Sequence, residues 1–319
     1  MYNIHNMDKK NKKHWFIAGG IAAAVFACTA ISYVRLPSGN KTNAAWMKNL
    51  SDGTLISRIS LPGTHDSGAT LSLLDSAGKC QDTSIAEQLN FGARFLDIRL
   101  KSVGDQLSLY HGFIDQELTF SKVLAECYDF LTRNPSETII MSVQEETKSS
   151  NSTKSFETLL NEAIAPKKDD YWLTSNSVPT LGQARGKIVL LSRYTDPTMG
   201  IDCGKKDTWK VSQTFDMNNG VPFHIQDTYL LKDNETKWTE ATNCFGYASS
   251  ISSDPFIINF LSGYLDKKVG PVNFAIAAPT AKYINPLAQA NISKYSFTGI
   301  VLFDFMTPEL ASAVIGVNK

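Results

Sequence analysis

Short apolar runs alternating with longer helix-like stretches place this 319-residue chain in the α/β class, with a parallel sheet wrapped by crossover helices. Three observations carry that expectation. The runs 95–100, 139–143, 188–191, 221–225, 272–276 and 299–305 are short and rich in β-branched or aromatic residues, as strands are. Between the first two, Leu118, Val123, Leu124, Cys127 and Leu131 recur at helical spacing before Asn134-Pro135 supplies a stop, which completes one βαβ unit. No fixed-period repeat or break in composition divides the body. With 43% hydrophobic and 19% charged residues the chain can bury one large core, and its length suits a single barrel or two smaller domains equally.

Taken in order, residues 1–36 hold five basic residues (Lys9, Lys10, Lys12, Lys13, Arg35) and one acid, Asp8; the basic stretch precedes an uncharged, mostly apolar run over 15–34. This is the layout of an export signal. A run of that length also suffices to span a bilayer and remain as an anchor, with cleavage the favoured reading. Val25-Phe26-Ala27-Cys28 loosely matches a lipoprotein cleavage box, although Cys28 reads more simply as one apolar residue of the run. Residues 37–44 are expected to be a linker and 45–319 the folded body, secreted or held at the cell surface. The whole chain has 31 basic and 31 acidic residues, so the body keeps 26 against 30, a net charge of −4 without a basic cluster. Nucleic acid is therefore not an expected partner, and any phosphate handled is a single group. Four cysteines remain in the body, Cys80, Cys127, Cys203 and Cys244; one or two disulfides and four buried thiols are equally open.

Along the body, a short helical lead-in is expected at 46–50, a strand-like lead over 56–61, a helix over 155–164, and loops at 148–154, 175–180 and 196–207. Of five histidines, His65, His111 and His224 lie in the body. His65 sits in Leu61-Pro62-Gly63-Thr64-His65-Asp66-Ser67-Gly68, a turn at the end of an apolar lead, where α/β folds place active groups. A histidine there is more often structural, and Asp66 beside it raises its interest. In Phe95-Leu96-Asp97-Ile98-Arg99-Leu100 the period of two puts Leu96, Ile98 and Leu100 on one face and Asp97 and Arg99 on the other. Charges pointing into a sheet's centre are costly unless paired. They form either a buried structural pair or an arginine braced by Asp97 to meet phosphate oxygens. His111 ends a second alternating run, 107–110, and Asp304 is embedded in the apolar Val301-Leu302-Phe303-Asp304-Phe305. Mutual pairing of these groups in one cleft is the economical account.

Six segments, in order, carry a resemblance: Pro62-Gly63-Thr64-His65-Asp66-Ser67, Phe95-Leu96-Asp97-Ile98-Arg99, Tyr110-His111-Gly112, Pro135 to Ser142, Gly186 to Tyr194, and Ile225-Gln226-Asp227-Thr228-Tyr229. Together they resemble bacterial phosphatidylinositol-specific phospholipase C over residues 45–319. The resemblance implies a single distorted (β/α)8 TIM-type barrel with its site at the C-terminal strand ends. It further implies cleavage of phosphatidylinositol to diacylglycerol and inositol 1,2-cyclic phosphate. His65 would be the base that frees the inositol 2-hydroxyl oxygen for attack, oriented by Asp304. His111, with Asp66 beside it, would protonate the leaving oxygen, and Arg99, braced by Asp97, would neutralise charge on the phosphate. Arg193 and Asp227 would bind ring hydroxyls, with Tyr229 against the ring.

Arg99 takes the place that a metal fills in calcium-dependent relatives, so no metal or other cofactor is expected. The partner expected is phosphatidylinositol in membranes, met by a monomer. After Met141-Ser142 the chain carries Gln144, Glu145 and Glu146 where such enzymes often carry lysine, which favours an unphosphorylated inositol. Phe256 to Leu261 with Tyr264 could be a lipid-facing surface or barrel packing. Rival readings are a metal-dependent glycerophosphodiester phosphodiesterase, disfavoured by Arg99, and an inactive lipid-binding module, disfavoured by the presence of both histidines.

Overall fold

A computed structural model describes residues 43–72, 77–204, 209–265 and 276–318, together with the backbone at 268–269 and 272–273. The expected export segment, and all of the expected linker but its last two residues, lie outside them. Seven parallel strands stand side by side in the order Ile188–Arg193, Ile139–Glu145, Phe95–Val103, Leu61–Thr64, Ile300–Phe303, Phe256–Phe260 and Pro222–Gln226. Among the described residues the first strand thus pairs with the last, which curls the sheet upon itself. Trp172–Leu173 and Ile201–Asp202 extend one margin in parallel, and Thr214–Asn218 covers the other in antiparallel fashion. Among the described residues the ladder does not close between these margins, so the expected barrel is a distorted one with an open seam.

Alternation along Phe95–Val103 decides how the layers form. Leu96, Ile98 and Leu100 pack outward on Val123, Leu124 and Cys127 of the helix Phe120–Arg133, whereas Phe95 joins Leu61, Ile140, Val189, Ile258 and Leu302 inside the barrel. Each such side chain, fully buried, contributes about 1.5–3 kcal/mol. That helix ends at Asn134, since the residue before Pro135 is forced out of the helical region. Below the interior layer Arg94 and Glu137, both fully buried, form an ion pair at 2.7 Å. Arg94 also donates to the carbonyls of Leu89, Ala93 and Ala44, and Glu137 accepts from the Met47 amide. The pair ties the N-terminal turn of the body to the bottom of the barrel.

The structure corrects several expectations. The lead over 56–61 is a 3-10 turn, Ile56–Arg58, and the strand starts only at Leu61. Within 272–276, Val272–Asn273 pairs with Lys268–Val269 apart from the barrel, and 274–275 lie outside the described residues. The seventh barrel strand is instead Phe256–Phe260, every residue of which is buried, so this run is core and not a lipid-facing surface. The helices Asn234–Ser250 and Ala278–Asn291 and the strand Thr214–Asn218 were not foreseen from the sequence pattern. Cys80, Cys127, Cys203 and Cys244 are four buried free thiols, which decides between the two alternatives. Among the described residues no helix is long and apolar enough to cross a membrane.

Candidate active site

Two strand ends meet at the top of the barrel, and both turn sharply. After Leu61–Thr64 the chain passes through His65 to Asp66 at φ 40°; after Ile300–Phe303 it passes through Asp304 to Phe305 at φ 51°. Left-handed backbone is unusual at a bulky residue such as phenylalanine and persists only where the surroundings hold it. Here they do. The Phe305 amide donates to the Cys80 carbonyl at 2.7 Å, while the fully buried Gln81 donates through Nε2 to the carbonyls of both His65 and Phe303, each at 2.8 Å. Gly63 permits close approach of Leu61–Thr64 to Phe95–Val103: a Cβ there would stand 2.8 Å from that of Phe95. The Asp66 amide donates to Asp97 Oδ2 at 3.1 Å, and the Ser67 hydroxyl accepts from the Asp97 amide at 2.8 Å. The His65 turn is therefore bonded directly to the strand that carries Arg99.

His65 Nδ1 lies 2.7 Å from Asp304 Oδ1, and its Nε2 lies 2.9 Å from Arg99 Nη2. A guanidinium has hydrogens to give and no lone pair to offer, so Nε2 accepts from it. The hydrogen-bond network thereby assigns the tautomer with the proton on Nδ1, directed at Asp304, and a lone pair on Nε2. Arg99 is held in turn by Nε and Nη2 bonds of 3.2 and 3.1 Å to Asp97 Oδ2, with Glu146 Oε2 3.7 Å from Nη1 and Asp66 Oδ2 3.9 Å from Nε. Burial alone would raise the Asp97 carboxyl, but Arg99, Arg193 and His65 outweigh it and bring it down to about 2. Burial wins at Asp66, against Arg99, and pushes that carboxyl up to about 8.

His111 ends the strand Gln106–His111, and its Nδ1 lies 3.8 Å from Asp66 Oδ2. That is an ion-pair distance without a direct hydrogen bond. The order of contacts across the site is thus His65, Arg99, Asp66, His111. Arg193 Nη1 is 3.5 Å from Asp97 Oδ1, and its guanidinium lies 3.6 Å over the Trp209 ring. Trp209 Nε1 donates to Asp227 Oδ2 at 3.0 Å. His65, His111, Arg99, Asp304, Arg193, Asp227 and Tyr229 all line one cavity of about 350 Å³, with Asp66 and Asp97 buried beneath it. Every site residue expected from the sequence is thus gathered in one place. His224 is not: it pairs with Asp216 at 2.7 Å and stacks on Tyr247 away from the cavity.

Four participants were not singled out in the sequence. Trp209 connects Arg193 to Asp227, and Gln81 joins the two turns. The fully buried Lys237 donates to the Thr228 carbonyl at 2.8 Å and to Gln226 Oε1 at 3.2 Å, behind Asp227; burial pushes its amine down to about 8, against the pull of Asp227 and Asp304. Cys80 lines the cavity 4.0 Å from His111 Nδ1. None shows in a strand or helix period, because each acts through contacts distant in sequence. Among the described residues two triads hold donors suited to a metal ion, His65–Cys80–Asp304 and Asp66–Cys80–His111.

Fold and site together define an α/β barrel that presents two histidines on either side of a fixed guanidinium, a place for one anionic group. The family model described as phosphatidylinositol-specific phospholipase C, X domain, matches residues 64–194. A 1-phosphatidylinositol phosphodiesterase of Listeria monocytogenes is 32% identical over 290 residues, covering 87% of this chain and 86% of that protein. One from Staphylococcus aureus is 34% identical over 306 residues, covering 88% and 96%. Among solved structures, a variant of the Staphylococcus aureus phosphatidylinositol-specific phospholipase C superposes with a TM-score of 0.75 at 29% identity, covering 87% of this chain and 98% of that one. The Listeria monocytogenes enzyme superposes at 0.67 and 28%, covering 88% and 100%. The chain belongs to the phosphatidylinositol-specific phospholipase C family.

Proposed function

We propose that this chain cleaves phosphatidylinositol to diacylglycerol and inositol 1,2-cyclic phosphate without a metal, using His65 as base and His111 as acid. The observation that carries the reading is the double hold on His65: Asp304 on Nδ1 and Arg99 on Nε2. It leaves the ring a base with its lone pair directed at the very group that would receive a phosphate. When substrate enters, the inositol 2-hydroxyl replaces Arg99 at Nε2, and the guanidinium turns to the phosphate oxygens while Asp97 keeps it in place. Nε2 takes the hydroxyl proton, the oxygen attacks phosphorus, and the diacylglycerol oxygen departs with a proton from His111. Each proton transfer contributes on the order of a hundred- to ten-thousandfold in rate. A fixed cation already occupies the place where negative charge grows, which is the work a divalent ion would otherwise do.

Arg193, Asp227 and Tyr229 form the far wall of the cavity, suited to a ring with hydroxyls around its rim and an apolar face. Glu146 supports an unphosphorylated ring: it lines the cavity, and its Oε1 accepts from the Gly112 amide at 2.8 Å. A 4- or 5-phosphate would meet that carboxylate. Phe113, Val211 and Leu230 are exposed and are each next to, or part of, the cavity lining, so the rim is where the enzyme would meet lipid. The body over 45–319 acts as a monomeric catalytic barrel, delivered to the cell surface or beyond by residues 1–36.

The test is release of water-soluble phosphate from phosphatidylinositol vesicles in excess chelator, with phosphatidylcholine vesicles and His65→Ala as controls. Release by wild type from phosphatidylinositol alone is expected. Activity that begins only when a divalent ion is added would point instead to a metal-dependent phosphodiesterase.

A further inference from the structure

We infer that Asp66, Cys80 and His111 form a binding site for a thiophilic divalent cation such as Zn²⁺, and that occupancy of this site switches the enzyme off. The inhibition, though not the binding, rests on the function proposed above. Three kinds of donor converge here: a carboxylate oxygen, a thiol sulfur and an imidazole nitrogen, all within 4.8 Å of one another. The Asp66–His111 and Cys80–His111 donor distances are 3.8 and 4.0 Å. Tetrahedral Zn²⁺ holds sulfur at about 2.3 Å and nitrogen or oxygen at about 2.0–2.2 Å, which sets neighbouring donors about 3.4–3.6 Å apart. The His111 nitrogen therefore needs to close on each of the other two donors by only a few tenths of an ångström, and a fourth position would face the cavity.

The second triad, His65–Cys80–Asp304, is less suited. Its nitrogen and nearer oxygen are 2.7 Å apart and already share a hydrogen bond, which is too close for two ligands of one ion. In the first triad no two donors share such a short bond, and Asp66 Oδ2, like Asp304 Oδ2 of the second, is buried and accepts no hydrogen bond from any described residue. A buried carboxylate oxygen without a donor is unusual. Its nearest cationic neighbours, Arg99 Nε and His111 Nδ1, stop at 3.9 and 3.8 Å. Even with Asp66 kept neutral by burial, the acids Asp97, Glu146 and Asp304 outnumber Arg99 and Arg193 here, so a dication improves the local balance. Coordination would release the Cys80 thiol proton to solvent, together with the proton that burial keeps on Asp66, and would occupy His111 together with Asp66. The acid of the proposed reaction would then be unable to protonate a leaving group.

Cobalt(II) is the probe, because a thiolate ligand gives it an intense near-ultraviolet charge-transfer band and tetrahedral geometry gives strong visible bands. Metal-free protein titrated with Co²⁺ is expected to develop both with one equivalent, and Zn²⁺ is expected to abolish them. In Cys80→Ala and Cys80→Ser the charge-transfer band should vanish. Loss of affinity should exceed the roughly 10- to 100-fold that loss of an outer-shell partner costs. Circular dichroism confirms that the variants are folded, and the wild-type spectrum is a test in itself should they not be. With phosphatidylinositol vesicles, Zn²⁺ should inhibit wild type at the same stoichiometry, whereas the rate of Cys80→Ala, measured against its own metal-free rate, should fall only at far higher Zn²⁺. A Co²⁺ complex without the thiolate band, or equal Zn²⁺ inhibition of wild type and Cys80→Ala, would overturn the inference. A wild type that binds Co²⁺ through thiolate yet cleaves no phosphatidylinositol would count against the proposed function and not against the metal site.

Discussion

Removing His111 separates the acid of the reaction from its base. In the proposed mechanism His111 gives a proton only to the leaving oxygen, so the cost of His111→Ala depends on how badly that oxygen needs one. A diacylglycerol alkoxide is a strong base and a poor leaving group, and loss of a positioned general acid then costs about 10²- to 10⁴-fold, or about 3–5 kcal/mol of barrier. A nitrophenolate leaves unaided, and its expulsion should slow by less than about tenfold. The structure supports such a clean separation. His111 lies on the Gln106–His111 strand, bonded neither to His65 nor to Arg99, and meets the rest of the site through Asp66 at 3.8 Å and Cys80 at 4.0 Å. The assay compares initial rates on phosphatidylinositol and on a nitrophenyl inositol phosphate for wild type, His111→Ala and His65→Ala. His65→Ala should lose activity on both, because attack by the 2-hydroxyl needs the base whatever leaves. Equal losses on the two substrates in His111→Ala would refute its role as the acid.

Other parts of the structure make their own demands. Asp97 titrates near 2 in the folded chain against an ordinary 3.8, a difference of about 2 kcal/mol. As its folded value is depressed, that stability is present above the ordinary value and is lost as pH falls from about 4 toward 2; urea unfolding across this range should show the loss, and Asp97→Asn should flatten it. Glu137→Gln leaves the buried Arg94 charge without its partner and should cost about 3–5 kcal/mol in urea unfolding, while the folded fraction keeps its kcat. Lys237→Met removes the support behind Asp227; KM for phosphatidylinositol should rise roughly fivefold, equivalent to about 1 kcal/mol, with kcat little changed. A fall in kcat alone would show that Lys237 acts on the chemistry and not on the ring pocket.

Much of the site was legible because its charges sit in apolar strands. The two-residue period that sends Leu96, Ile98 and Leu100 into the helix layer necessarily sends Asp97 and Arg99 inward, and the same logic marks Asp304. His65 and His111 follow from their places at strand ends. Phe256–Phe260 was harder, because a strand buried on both faces shows no alternation and reads equally as core or as lipid-facing surface. Val272–Asn273 has strand composition, yet composition alone does not say which sheet a segment joins. Trp209 and Gln81 were out of reach for another reason. Their importance lies in what they connect, Arg193 with Asp227 and one turn with another, and such connections exist only after folding. Cys80, weighed only as half of a disulfide or as a buried thiol, is placed beside His111 by the bond between its carbonyl and the Phe305 amide.

The central claim is that His65 and His111 with Arg99, and no metal, turn phosphatidylinositol into a cyclic phosphodiester. Phosphorus NMR of phosphatidylinositol vesicles incubated with the protein in excess EDTA tests it most directly. The account predicts a five-membered cyclic inositol phosphate resonance appearing at early times with wild type and absent with His65→Ala. Acyclic inositol phosphate as the first product, or no product until a divalent ion is supplied, would contradict it.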